Sequence, residues 1–289
     1  MRTIVIQLAF ESWRERAREL LSLRVPPNEL LWSDDAQEPG LFATTDDAAP
    51  RAAVPKVPPA FLDMARSVAA HSDARRWGSL YRVLWRLTHG GERHLLAMAT
   101  DKDVRQLQQW CKAISRDIHK MHAFVRFRLV GNDEATGREQ FVAWFEPEHR
   151  IVRLAAGFFE KRFVGMDWSI LTPHDCAHWD GSTLQFTPGV PRSAAPDEDA
   201  LDDLWRTYYR NIFNPARLKV RAMQSEMPKK YWKNLPEAPL IADLIAESGG
   251  RVEKMLRTEA QPAKPAPKNA YLDSLRDMNE QQTPAAEEP

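Results

Sequence analysis

The sequence contains little cysteine and no long apolar run. Cys111 and Cys176 are its two cysteines, too few for a disulfide framework or for a cysteine-based zinc or iron–sulfur site. No apolar stretch reaches the roughly 20 residues that cross a bilayer, and the N-terminus lacks the pattern of a secretory signal. We therefore expect a cytoplasmic protein without a membrane segment.

Several motifs that bind nucleotides or activate nucleophiles are also missing. The sequence has no GxxxxGK[ST] phosphate loop, no GxGxxG turn, no GxSxG elbow and no HxE…PCxxC zinc-deaminase signature. These absences remove the main support for an ATPase, a nicotinamide-dependent dehydrogenase, an α/β-hydrolase or a zinc deaminase. We expect no cofactor and no metal.

Charge of one sign is not in excess, because 40 basic side chains balance 40 acidic ones. The charges are nevertheless segregated along the chain. Six basic residues lie between positions 214 and 235 beside the single acid Glu226, and four lie between 115 and 130 beside the single acid Asp117. Because nucleic-acid binding depends on where cations cluster, a net charge of zero does not exclude it.

Hydrophobic periodicity predicts an α+β fold in which an antiparallel sheet packs against helices. We expect an N-terminal β-α-β segment over 1–32, a Pro-rich linker or loop over 33–59, the main α+β domain over 60–257 and a disordered tail over 258–289. The C-terminal part of the main domain is expected to be helical.

In the centre of the sequence, segments with the hydrophobic period of a helix alternate with segments that have the period of a strand. Val104, Leu107, Cys111, Ile114 and Ile118 recur at helical spacing, with Thr100 as the expected N-cap. Strands are predicted over 124–130, 141–146, 168–172 and 183–187, with a helix over 152–163. The residues between the last two strands form an expected polar loop that exposes Trp179 and places Cys176 beside histidines.

The stretch NPARLKVRAMQSEMPKKYWKNLPEA is the most unusual in the chain. It interleaves cations with aromatic side chains, and this composition is typical of a surface that holds phosphates and stacks on bases. The alternative is a solvated helix whose aromatic side chains belong to the core. The candidate nucleic-acid ligands are Arg217, Lys219, Arg221, Lys229, Lys230, Tyr231, Trp232 and Lys233.

A second candidate surface lies in HKMHAFVRFR. A strand that exposes Phe124, Arg126 and Arg128 would form a stacking platform with phosphate ligands at its edge. The alternative is a half-buried strand whose arginines face water or pair with carboxylates.

Weaker catalytic candidates are His119, His122, Glu146 and Glu148. The two histidines are three residues apart at a helix end, and the glutamates lie near the end of a predicted strand. They could serve as acid and base, or hold a metal if folding supplied a third ligand.

The motifs HKMHAFVRFR, FVAWFEPEHRIV, DWSILTP, AHWDG and YYRNIFNPARLKVRAMQSEMPKKYWKNLPEA resemble an uncharacterised bacterial family of probable DNA-metabolism or DNA-repair proteins. Members of that family are encoded beside a radical-SAM protein, and some are fused N-terminally to a uracil-DNA-glycosylase-like domain. The resemblance implies a DNA-repair context. It does not transfer uracil excision, because this chain has no glycosylase domain, and it has no CxxxCxxC motif for radical chemistry.

Three hypotheses follow. The first is a DNA-binding accessory protein that acts with the radical-SAM or uracil-DNA-glycosylase-like partner. The second is an enzyme that acts on DNA or nucleotides through the His/carboxylate residues. The third is a protein–protein adaptor that never touches DNA.

Overall fold

The computed structural model describes residues 2–34, 56–132, 137–195, 226–241 and 243–247. The strands are β1 Arg2–Val5, β2 Leu30–Ser33, β3 Arg128–Asn132, β4 Glu139–Trp144, β5 Asp167–Leu171, β6 Asp175–Trp179 and β7 Leu184–Pro188. The helices are α1 Phe10–Ser22, α2 Pro59–Ala69, α3 Arg76–Thr88, α4 Lys102–Phe124, α5 Val152–Arg162 and α6 Lys229–Trp232. Residues 238–241 and 243–247 are also helical. The α+β class is confirmed.

The N-terminal segment is the predicted β-α-β unit, with β1 and β2 paired in parallel and connected through α1. Its apolar side chains pack on α2, α3 and the first half of α4, forming one hydrophobic cluster. Trp13 of α1 and Trp77 of α3 are both about 1% exposed, and their rings stack with centroids 6.4 Å apart. The segment therefore shares its core with the helices that follow it.

The long helix α4 connects this cluster to a second one. Val104, Leu107 and Trp110 lie in the first cluster, whereas Ile114 and Met121 lie in the second. The helix begins one residue later than a cap at Thr100 predicts. The side chain of Asp101 caps it, accepting hydrogen bonds from the backbone N–H groups of Asp103 and Val104, because a carboxylate satisfies the free N–H groups of a first turn.

The five-stranded sheet has the order β3-β4-β5-β6-β7. Adjacent strands of this sheet are antiparallel, as predicted, with one exception. Strands β4 and β5 run parallel and are connected through α5. The loop predicted between the last two strands is in fact β6. Consequently Trp179 is 8% exposed, so the prediction that it is exposed is wrong, and Cys176 is fully buried in a strand instead of lying in a polar loop.

The second cluster lies between α5, the end of α4 and the apolar face of this sheet. The strand predicted over 124–130 begins only at Arg128, because α4 continues to Phe124. The described helices include none with both the length and the apolar composition required to span a bilayer. The part of the predicted linker between 35 and 55 and the predicted tail lie outside the described residues.

Candidate functional site

The aromatic side chains of the predicted basic stretch belong to the core. Tyr231 is 2% exposed, and its ring stacks on Phe124 at 5.5 Å and on Phe145 at 5.0 Å between centroids. Trp232 is half-buried and donates its Nε1–H to the carbonyl oxygen of Met227 at 2.9 Å. The prediction that the Tyr231 ring is presented to bases is wrong in this structure, and the Trp232 ring is partly buried against the second cluster. They hold α6 onto the second cluster.

The lysines beside them meet the carboxylates proposed for catalysis. Lys230 pairs with Glu148, and Lys233 Nζ lies 2.7 Å from Glu146 Oε2. The Lys230 hydrogen bond holds the pKa of Glu148 below its usual value. Burial opposes the ionisation of Glu146, but hydrogen bonds from Lys233 and from the Trp144 indole outweigh it and lower that pKa. The lysines of the DNA-binding hypothesis and the glutamates of the enzyme hypothesis therefore neutralise each other.

Lys229, the remaining lysine of this turn, is exposed. It forms no ion pair with any residue that the structure describes. The preceding candidates Arg217, Lys219 and Arg221 lie outside the described residues.

The second predicted surface is also partly occupied by internal contacts. Phe124 is 8% exposed and packs on Tyr231, so it is not a stacking platform. The Arg126 side chain is 14% exposed and donates to Glu237 Oε1 at 2.8 Å. Arg128 is half-buried on β3. The alternative interpretation, in which an arginine of this segment pairs with a carboxylate, fits Arg126.

The histidines at the end of α4 are not brought together with the candidate glutamates in a metal-binding group. His122 Nε2 lies 3.2 Å from the carbonyl oxygen of Ala155, and its ring stacks on Phe158 at 4.1 Å. Burial lowers the pKa of His122, whereas His119 is exposed. Within the described ranges, no group of three His, Cys, Asp or Glu side chains could hold a metal ion.

A buried polar cluster below the basic turn was not predicted. Asp117 accepts a hydrogen bond from the backbone N–H of His149 at 2.9 Å and one from the Tyr231 hydroxyl at 3.3 Å. The His149 ring lies 4.1 Å from the His71 ring. Burial raises the pKa of Asp117 and lowers the pKa values of both histidines, that of His71 to about 4. This cluster connects α4, α6 and the turn after α2.

The exposed face of α4 carries cations without acids. Lys102, Arg105, Lys112 and Arg116, which we call the α4 ridge, are all exposed and recur at helical spacing. None of them forms an ion pair with another described residue. The acids of this helix point elsewhere: Asp103 pairs with Arg82 and Arg86, and Asp117 is buried. At 1.5 Å per residue the ridge extends about 21 Å.

The sequence-based prediction included Arg116 in a basic segment but missed the other three ridge residues. A signal for them was present. They lie at positions 102, 105 and 112, on the polar face of a helix whose apolar stripe is regular. Reading the polar face of α4 with the same period as its apolar face would have found them.

Comparison with known proteins shows the family to which this chain belongs. The sequence profile of DUF4130, described as a domain of unknown function, matches residues 74–237. This match covers α3 to α6, including the α4 ridge and the whole five-stranded sheet. No curated protein and no solved structure matches the chain. Because the profile covers more than half of the sequence, the chain belongs to the DUF4130 family.

Proposed function

We propose that this protein is a DNA-binding accessory protein in DNA repair or base modification, and that the α4 ridge contacts the phosphate backbone. The observation that carries the proposal is the series of four exposed cations with no carboxylate partner among the described residues. Unpaired cations release counterions from a polyanion on binding, and this release supplies most of the sequence-independent affinity.

The shape of the ridge fits a duplex better than a single strand. Its cations follow one straight helix over about 21 Å, comparable to roughly six base-pair steps at about 3.4 Å each. Single-strand sites combine cations with aromatic rings that stack on bases. The exposed positions between the two ends of the ridge are Lys102, Arg105, Gln109, Lys112, Ser115 and Arg116, with no aromatic residue among them.

The partner belongs to the same proposal. The resemblance to proteins encoded with a radical-SAM protein, or fused to a uracil-DNA-glycosylase-like domain, supports an accessory role in which the partner performs the chemistry. In this role the chain described here contributes affinity for the backbone and leaves the choice of lesion to its partner.

The test is fluorescence anisotropy of the purified chain with a labelled duplex over a series of salt concentrations. The variant Lys112→Gln/Arg116→Gln removes two ridge cations. Removing one phosphate contact should reduce the slope of log K against log salt by about 0.9, so the double variant should reduce it by close to two units. Duplexes of different sequence should be affected alike.

The matched control is Arg14→Gln/Arg18→Gln on α1. These arginines are also exposed, also four residues apart, and form no ion pair with another described residue. The two double variants therefore change the net charge equally. Equal effects on binding would show that only net charge matters, and an unchanged slope in the ridge variant would exclude the ridge as the contact surface.

A further inference from the structure

A cleft opens at the N-terminal end of the α4 ridge. It has a volume of about 520 Å³ and lies between β2 and the first turns of α3 and α4. This volume falls within the range of roughly 300–1,000 Å³ that is typical of sites for small organic ligands. Lys102 lines the cleft and is also the first residue of the ridge, so the two surfaces are continuous.

Three basic side chains, Arg75, Arg82 and Lys102, line the cleft together with one acid, Asp103. Arg75 is paired with Asp73, whose Oδ2 lies 2.6 Å from Arg75 Nη2. Asp103 is already held by Arg82 Nε at 3.1 Å and by Arg86 Nη1 at 2.9 Å. Lys102 has no carboxylate partner among the described residues. With Arg75 and Arg82 paired, Lys102 carries the unpaired charge of the cleft, and this charge favours an anionic group near Lys102 and the neighbouring Arg82.

Apolar side chains also line the cleft. Leu31 is 51% exposed, and the mostly buried indoles of Trp32 and Trp110 are among the lining residues. Ser79 and Gln106 add a hydroxyl and an amide, which can hydrogen-bond to the edge of a flat heterocycle. Basic, apolar and neutral polar groups in one cleft together match a ligand that joins a phosphate to a planar base.

A glycine keeps the cleft open. Gly78 lies inside α3 and lines the cleft, although glycine destabilises a helix interior relative to alanine. Packing does not require it, because a Cβ at this position would lie 3.6 Å from Trp32 Cδ1, an ordinary van der Waals contact. A longer side chain would extend into the cleft instead.

We infer that this cleft binds a single nucleotide, with the phosphate at Lys102 and Arg82 and the base against Trp32, Trp110 and Leu31. This inference rests on the proposed function for the source of the nucleotide. The nucleotide is either a free nucleoside monophosphate or one that has been displaced from a duplex held by the α4 ridge.

Calorimetric titration of the full chain with the deoxynucleoside monophosphates tests the site directly. We expect binding that weakens roughly tenfold, or about 1.4 kcal/mol, when the phosphate is absent or when Lys102 is replaced by Gln. Gly78→Met should weaken it by at least that factor, because the new side chain fills the cleft. The absence of any heat of binding, or equal affinity for nucleosides and nucleotides, would overturn the inference.

Gly157→Met is the matched control. Gly157 also lies inside a helix, α5, and a Cβ there would meet nothing within 4 Å. Both substitutions should raise the thermal stability through helix propensity, which shows that each variant is folded. Equal nucleotide affinity in the Gly78→Met and Gly157→Met variants would exclude the cleft as the site.

Two further duplexes distinguish a free nucleotide from one that is displaced from DNA. A duplex with one unpaired nucleotide should bind more tightly than a matched duplex if the cleft accepts a displaced nucleotide, and Gly78→Met should remove only that preference. Equal binding of both duplexes, together with binding of free monophosphates, would assign the site to the free nucleotide. Failure of the ridge variant to bind duplex, with monophosphate binding intact, would show that the cleft and the ridge act separately.

Discussion

Two cation-rich regions of this protein differ in what surrounds their charges. The turn at Lys229–Lys233 carries three lysines within five residues, and two of them are paired with Glu148 and Glu146. The α4 ridge spreads four cations over four helical turns, and none has an ion-pair partner among the described residues. The denser cluster in the sequence is therefore the more neutralised one in the structure. Local density of charge is a poor guide to available charge when the partners lie far away in the sequence.

The aromatic residues sharpen this comparison. At the turn, Tyr231 inserts between two phenylalanine rings and fastens α6 to the second cluster. The lysines on either side of it then reach the segment that follows β4, where the two glutamates are located. Along α4 the apolar residues face inward and the basic residues face outward. The first region is thus organised as a structural anchor, and the second is arranged as a surface.

The largest expected effect concerns this anchor. Tyr231→Ala removes a buried ring, and such truncations cost about 3–5 kcal/mol of unfolding free energy. We expect a decrease of this size in denaturant titrations of the full chain. Tyr231→Phe keeps the stacked ring and removes only the hydrogen bond to Asp117, so it serves as the control with a smaller decrease. If Tyr231→Ala retained wild-type stability but abolished DNA affinity, Tyr231 would be a stacking residue after all.

A smaller effect is expected for the paired lysines. Their side chains are 39% and 58% exposed, and exposed ion pairs contribute about 0–1 kcal/mol each. Lys230→Gln/Lys233→Gln removes both pairs and should therefore lower the unfolding free energy by about 2 kcal/mol or less. Its effect on the salt dependence of duplex binding should stay below that of Lys112→Gln/Arg116→Gln. A larger effect than the ridge variant would reverse the comparison between the two regions.

A third expected effect, confined to acidic pH, is a dependence of stability on pH that arises from the cluster below α6. Burial and the neighbouring His149 lower the pKa of His71 to about 4, against the partial opposition of Asp73. The unfolded chain therefore binds a proton at His71 near pH 6.5, whereas the folded chain does not until about pH 4. The neutral, buried His71 therefore contributes to the stability of the folded state. This contribution is complete above pH 6.5 and is lost as the pH falls towards 4.

Thermal denaturation between about pH 4 and pH 7 measures this contribution. His71→Asn keeps an acceptor for the backbone N–H of Asp73, which now donates to His71 Nδ1 at 3.0 Å, but it cannot titrate. The variant should show a shallower decline of stability with acid than the wild type, because one proton-binding group has been removed. Parallel curves for the two proteins would show that His71 has its ordinary pKa in the folded state.

The sequence predicted the secondary structure well where one face of an element is apolar. The beginning predicted for α4 and both bounds predicted for α5 agree with the observed ones within one residue, because their apolar stripes are regular. The prediction failed at β6, which includes Asp175 and His178 in a stretch that reads as a polar loop. This strand has neighbours on both sides. Hydrogen bonds to β5 and β7, rather than a local pattern, make it a strand.

The candidate sites were harder to predict because their character depends on distant partners. Lys233 and Glu146 are 87 residues apart, Arg126 and Glu237 are 111 apart, and Tyr231 and Asp117 are 114 apart. No local spacing indicates these contacts. The α4 ridge is the opposite case. All four of its residues lie on one helix, and their exposure follows from the same period that buries the apolar stripe.

The sequence by itself determined the α+β class, the positions of most helices and strands, and the two faces of α4, because periodicity is a local property of the chain. Only the tertiary structure decided which cations are neutralised, which aromatic rings are buried, and that β4 and β5 run parallel. These outcomes depend on contacts between distant segments, which form when burial of the apolar faces brings those segments together. The cleft beside Gly78 belongs with them, since β2, α3 and α4 create it jointly.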